Sequence, residues 1–113
     1  MDADFQGYID GIATEFRPLF DRLHRIVLAA QPDAQLGLAY DMPTYRVGKR
    51  RLNLGVWKHG VSVYGWRRDN DGGFLESHPA LLSSKTTLRI RPEDAAAISD
   101  EEFAGLLGGA LEP

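Results

Sequence analysis

The side chains best suited to chemistry in this chain are aromatic and basic. Trp57, Tyr64 and Trp66, with Tyr45 upstream, lie in a stretch that also holds Arg46, Lys58, Arg67 and Arg68. Flat rings next to cations bind by stacking, cation–π contact and charge. The pattern therefore points to recognition of an anionic ligand. Lys85, with the hydroxyls of Ser83, Ser84, Thr86 and Thr87 around it, and Arg89 add to the same list of ligand-binding candidates. The Lys85-Thr86 pair ends like a phosphate loop, but Ser84 stands where that loop needs glycine before its lysine, and Pro79 occupies the earlier glycine position. The segment is read as an anion contact rather than a nucleotide-hydrolysing site.

Other chemistries are poorly provided for. The histidines, His24, His59 and His78, show no zinc-ligand spacing. Asp69-Asn70-Asp71-Gly72 begins like a calcium loop, yet its twelfth position is Ala80 instead of a bidentate glutamate, so it reads as a turn. No Gly-x-Ser-x-Gly is present and no catalytic constellation can be named. The chain reads as a non-enzyme without a cofactor.

Positioning falls to an α+β framework. Leu19, Phe20, Leu23, Ile26, Val27 and Ala30 form one helical stripe, with Thr14 as N-cap, Pro18 in the first turn, Asp21–Arg25 as an i,i+4 pair and Pro32 beyond the end. Phe5, Tyr8, Ile9 and Ile12 suggest a separate short turn of helix before it. The middle alternates as antiparallel strand: Leu36 to Tyr40, Thr44 to Val47, Leu52 to Trp57 and Val61 to Trp66. The last two form a hairpin whose loop is His59-Gly60 or Lys58-His59; either register keeps Leu52, Leu54, Val56, Val61 and Val63 on the helix side and Trp57, Tyr64 and Trp66 on the other. Phe74 to Leu82 reads as a short helix broken at Pro79, and Thr86 to Ile90 as a further strand. Ser99 and Glu102 make a capping box for a last helix that Gly108-Gly109 should end. The expected fold is thus an antiparallel sheet of about five strands with N- and C-terminal helices on one face.

The 113 residues make one domain, 1–113, with 43% hydrophobic and 26% charged residues. With no cysteine, disulfides, thiolate metal sites and cysteine nucleophiles are excluded. No apolar run is long enough for a membrane span, and the acidic start lacks a secretory signal, so the expected location is cytoplasmic. The net charge of −3 is unevenly spread: residues 42–68 carry seven bases and no acid, whereas 1–41 sum to −4 and 69–113 to −6. Such a block makes a local positive field. The pI of 5.5 and the acidic flanks argue against nucleic acid as a partner.

Tyr40-Asp41-Met42-Pro43-Thr44-Tyr45, then Gly48, Lys58-His59, Tyr64 and Ser84-Lys85-Thr86-Thr87-Leu88-Arg89-Ile90 together resemble the YdhG-like family, small bacterial domains mostly of unknown function. Ala29 to Asp33 follows the same pattern. The resemblance implies a frataxin-like α/β sandwich. It also implies an alternative role as an intracellular iron chaperone, with Asp10, Glu15 and Asp21 of the acidic N-terminal region as metal ligands. Three readings follow: a binding domain whose aromatic and basic sheet face takes an anionic ligand or a protein partner, iron delivery, and a structural homodimer that buries the same rings.

Overall fold

The stripe that begins at Leu19 becomes helix α2 (Arg17–Ala30) in the computed structural model, which describes residues 3–113. Leu19, Phe20, Leu23, Ile26 and Val27 are its buried residues. Pro18 sits in the first turn, where its missing N–H removes no intrahelical bond. The cap position is Phe16 rather than Thr14, and no side chain caps it. Phe16 is buried, so packing fixes the helix entry. Asp21 pairs backward with Arg17 at 2.9 Å instead of forward with Arg25, which lies 4.0 Å from Asp100. The preceding helix α1 (Ala3–Asp10) is separate, with Phe5 and Ile9 inward.

Six antiparallel strands follow, one more than expected: β1 (Gln35–Ala39), β2 (Met42–Val47), β3 (Arg50–Trp57), β4 (Gly60–Tyr64), β5 (Leu82–Ser84) and β6 (Thr87–Ile90), in the order β1-β2-β3-β4-β6-β5. The addition is β5. Helix α3 (Phe74–Ser77) ends before Pro79, a 3₁₀ turn covers Pro79–Leu81, and the chain then extends along β6 with an irregular register. Three residues are too few to display alternation, so the sequence hides this strand. In the central hairpin Lys58-His59 is the loop, Trp57 faces Gly60, and Val56 faces Val61.

Helices α4 (Pro92–Ala95) and α5 (Asp100–Leu111) complete the chain. The capping box is present: Ser99 Oγ accepts the Glu102 N–H at 3.1 Å, and the Glu102 carboxylate accepts the Ser99 N–H at 2.9 Å. Helix α5 does not stop at Gly108-Gly109 but runs on to Leu111. A Cβ at Gly109 would stand 1.9 Å from the Asn70 carbonyl oxygen, so glycine there admits a crossing loop rather than ending a helix. Helix α2 packs on α5, and α5 on β3. One core, including Phe5, Leu23, Leu52, Leu54, Val63, Phe103 and Leu106, lies between the helices and the sheet. The architecture is α+β with the helices on one side, leaving the outer sheet face to carry the site.

Candidate functional site: the outer face of the sheet

Strand alternation decides which side chains reach the outer face. With Leu52 and Leu54 in the core, Arg51, Asn53 and Trp57 of β3 point away from it. The same logic puts Met42, Thr44 and Arg46 of β2, Ser62 and Tyr64 of β4, and Arg89 of β6 on that face. All six strands together contain Arg46, Arg50, Arg51 and Arg89 and not one carboxylate.

A cleft of about 630 Å³ opens here, lined by Tyr40, Met42, Arg46, Lys49, Arg51, Asn53, Tyr64 and Gly65. The β1–β2 turn supplies Tyr40, held in the left-handed region at φ 54° next to Asp41 at φ 60°. A bulky residue with this backbone is strained, and such strain collects where structure positions a group for use. Tyr40 is 74% exposed, and the Arg51 guanidinium stands over its ring at 5.5 Å. The short connection after Val47 supplies Lys49 and pairs Arg46 directly with Arg51 across the two strands. On the floor Asn53, 5% exposed, donates to Thr44 Oγ1 at 2.6 Å, and the Thr44 hydroxyl donates to the Met42 carbonyl at 2.9 Å. These bonds fix the amide in place. Among the described residues, no carboxylate pairs with Arg46, Lys49 or Arg51.

Further along the same face, Trp57 is covered by cations. The guanidinium groups of Arg89 and Arg91 stand 4.6 and 5.6 Å from its ring centre, and His59 meets it edge-on at 5.0 Å. The buried Trp57 Nε1–H has no hydrogen-bond acceptor. A hollow of about 420 Å³ adjoins, lined in part by Trp57, Ser83, Arg89 and Arg91. Asp94 also borders it, and its carboxylate accepts the Arg91 backbone N–H at 3.0 Å.

The expected site residues are therefore divided. Arg46 and Tyr64 meet in the cleft, Trp57 and Arg89 in the second cluster, and Lys58 is exposed in the hairpin loop between strands. Trp66 is not on this face. Strand β4 ends at Tyr64, Gly65 takes φ 87°, and the broken pleat sends Trp66 inward, where it is 8% exposed and donates Nε1–H to the Thr86 carbonyl at 3.0 Å. Tyr45 is not there either. It faces the helices at 0% exposure, and its hydroxyl lies 2.9 Å from His24 Nδ1. Alternation from Tyr45 leads to Leu36 and Leu52, its cross-strand neighbours, and hence to the core. Arg67 is drawn off to Asp69 at 3.4 Å and to the Glu112 carbonyl at 3.1 Å. Lys85 is exposed in the β5–β6 turn, where its carbonyl accepts from Arg68.

Tyr40, Lys49, Arg51, Asn53 and Arg91 escaped sequence reasoning. A signal was available for Arg51 and Asn53, since both share the parity of Trp57 in one strand. The acidic N-terminal residues do not converge: Asp10 accepts from Gln6 at 2.9 Å, Asp21 is paired with Arg17, and Glu15 is exposed. Among the described residues no three His, Asp or Glu side chains form a group that could hold a metal ion. Asp71 serves the turn it was expected to form, accepting the N–H groups of Gly73 at 2.9 Å and Leu75 at 3.1 Å. No helix among the described residues is long and apolar enough to cross a membrane. Compared with known proteins, the chain matches no family model, no curated protein and no solved structure.

Proposed function

We propose that this chain is a non-enzymatic binding domain that holds an anionic, ring-bearing ligand in the outer cleft. The observation that carries the reading is the direct cross-strand pairing of Arg46 with Arg51, with Lys49 beside them and no carboxylate partner among the described residues. Like charges directly opposite each other in a sheet cost a few tenths to about 1 kcal/mol. An oxyanion between two guanidinium groups turns that repulsion into two charge-assisted, bidentate contacts. Tyr40 and Tyr64 border the same space and supply faces for a flat ring. Tyr40 and Met42 also belong to the segment that resembles the YdhG-like family, and we place the chain with that family as part of the same reading.

The test is a nuclear magnetic resonance titration of the labelled protein with adenosine monophosphate, inorganic phosphate and adenosine. The expected order of affinity is monophosphate over phosphate over nucleoside, with shifts at the amides of Arg46, Arg51 and Asn53. Arg46→Ala with Arg51→Ala should abolish the shifts. Equal binding of adenosine and its monophosphate, or shifts confined to α2 and α5, would refute the cleft.

A further inference from the structure

We infer that the cleft is one end of a longer track, and that the outer sheet face binds single-stranded nucleic acid from Arg51 to Trp57. The inference rests on the anion reading of the cleft and extends it to a polymer. Trp57 lies six residue steps along β3 from Arg51, which is about 20 Å of strand at roughly 3.3 Å per residue. That length suits a segment of several nucleotides, at the lower end of the roughly 4–16 covered by single-strand binders.

Two features at the Trp57 indole mark the far end as part of the same surface, and a third joins it to the cleft. The Trp57 Nε1–H is buried without an acceptor, a donor that the protein itself leaves unused. Arg89 and Arg91 rest on the indole rather than on a carboxylate. Between the two ends Gly55 has no side chain, and its missing Cβ leaves room for Met42 Sδ, which would otherwise lie 2.6 Å away, with Tyr64 alongside. The middle of the track is thus an uncharged floor between two cationic ends. On binding, the arginines move from the indole to phosphates, which frees the ring for a base and the Nε1–H for a ligand oxygen.

Charge complementarity selects a polyanion, and the rings select nucleic acid among polyanions. Tyr64 and Trp57 project from β4 and β3, the two central strands, with Tyr40 at the rim. An open sheet face with aromatics on its central strands and helices behind is a known stacking platform for unpaired bases. A polyphosphate or an acidic peptide would leave these rings idle. The pI of 5.5 does not oppose this, because it averages over two layers: the strands carry no acid, and the carboxylates of the described residues lie on helices, turns and loops.

The test uses the full chain and a fluorescein-labelled oligothymidylate of about 10 nucleotides, read by anisotropy, with tryptophan emission read on unlabelled oligomer. Saturable binding with quenched emission is expected. With Arg46, Arg51, Arg89 and Arg91 each meeting a phosphate, the log–log salt slope should be roughly −3, at about −0.7 per contact. Trp57→Ala should weaken binding roughly ten-fold, and Trp57→Phe, which retains a ring and guards against a folding defect, should restore most of it. If the oligomer shifts only the cleft amides and Trp57→Ala binds as tightly as the parent, the track is wrong while the cleft stands. If polyphosphate or polyglutamate of equal charge competes as well as the oligomer, the choice of nucleic acid is wrong. If neither the oligomer nor adenosine monophosphate binds, both readings fall together.

Discussion

At the scale of single residues, Arg46 is a side chain whose cost to the fold and whose use in binding have opposite signs. It faces Arg51 across β2 and β3, and no acid neutralises the pair among the described residues. Arg46→Thr places a good strand former there and removes the repulsion. The free protein should become more stable by about 0.2–1 kcal/mol, measured by urea unfolding at low salt. The stabilisation that saturating adenosine monophosphate gives the parent should vanish in the same variant. A variant that is destabilised, or that retains the ligand effect, would show that the arginine serves the fold instead. The same scale explains why part of the site was illegible. Arg51 lies one residue before the apolar run that announces β3, and Trp66 lies one residue past the glycine that ends β4. Alternation is reliable inside a strand, and it says nothing on the far side of a left-handed glycine.

Among elements, the contact that joins α2 to β2 runs through His24 and Tyr45. Burial holds the His24 pKa below its ordinary 6.5, with Asp21 pulling weakly the other way. Burial also pushes the Tyr45 phenol upward, so it stays protonated and shares a hydrogen bond of 2.9 Å with His24 Nδ1. A second proton on the imidazole would add a charge among Phe5, Phe20 and Tyr45. The unfolded chain takes up this proton near 6.5 while the folded chain resists it, so stability falls as pH drops through that value and levels off below the folded pKa. Urea midpoints across this range should show the decline, and His24→Phe should flatten it. Tyr45→Phe, which strands the imidazole nitrogen, should cost about 1–2 kcal/mol at neutral pH. An unchanged pH slope in His24→Phe would assign the decline to another group. The Glu102 carboxylate acts in a different window. The Ser99 backbone N–H, foremost, and His78 hold its pKa below the ordinary 4.5, so its contribution is present above that value and disappears only as pH falls further. The sequence revealed the buried stripe of α2 and the capping box of α5 because helical period and cap chemistry are local, whereas the start of α2 at Phe16 is set by packing and was not visible. It hid the direction of Tyr45, since the choice between faces of a strand depends on which neighbour supplies the core.

For the molecule as a whole, the sorting of charge along the chain becomes a sorting by layer. The acid-free stretch 42–68 was visible in the sequence, and by laying β2, β3 and β4 side by side the fold brings three of its seven bases, Arg46, Lys49 and Arg51, onto one cleft. The carboxylates of α5, Asp100, Glu101 and Glu102, belong to the helix layer on the other side of the sheet. A protein sorted in this way presents two faces of opposite sign, and its net charge of −3 describes neither. Two variants separate net charge from layout: Arg51→Glu on the sheet and Arg25→Glu on α2 alter the total by the same amount. On a sulfonate resin at low salt and neutral pH the parent should be retained despite its negative net charge. Arg25→Glu should be retained nearly as long, because that arginine is largely exposed and its ion pair with Asp100 is a weak contact at 4.0 Å. Arg51→Glu should elute without retention, since it places a carboxylate opposite Arg46 and cancels the field of the cleft. Co-elution of the two variants would mean that the resin responds to total charge, and that the strands' lack of acids creates no surface a ligand can distinguish.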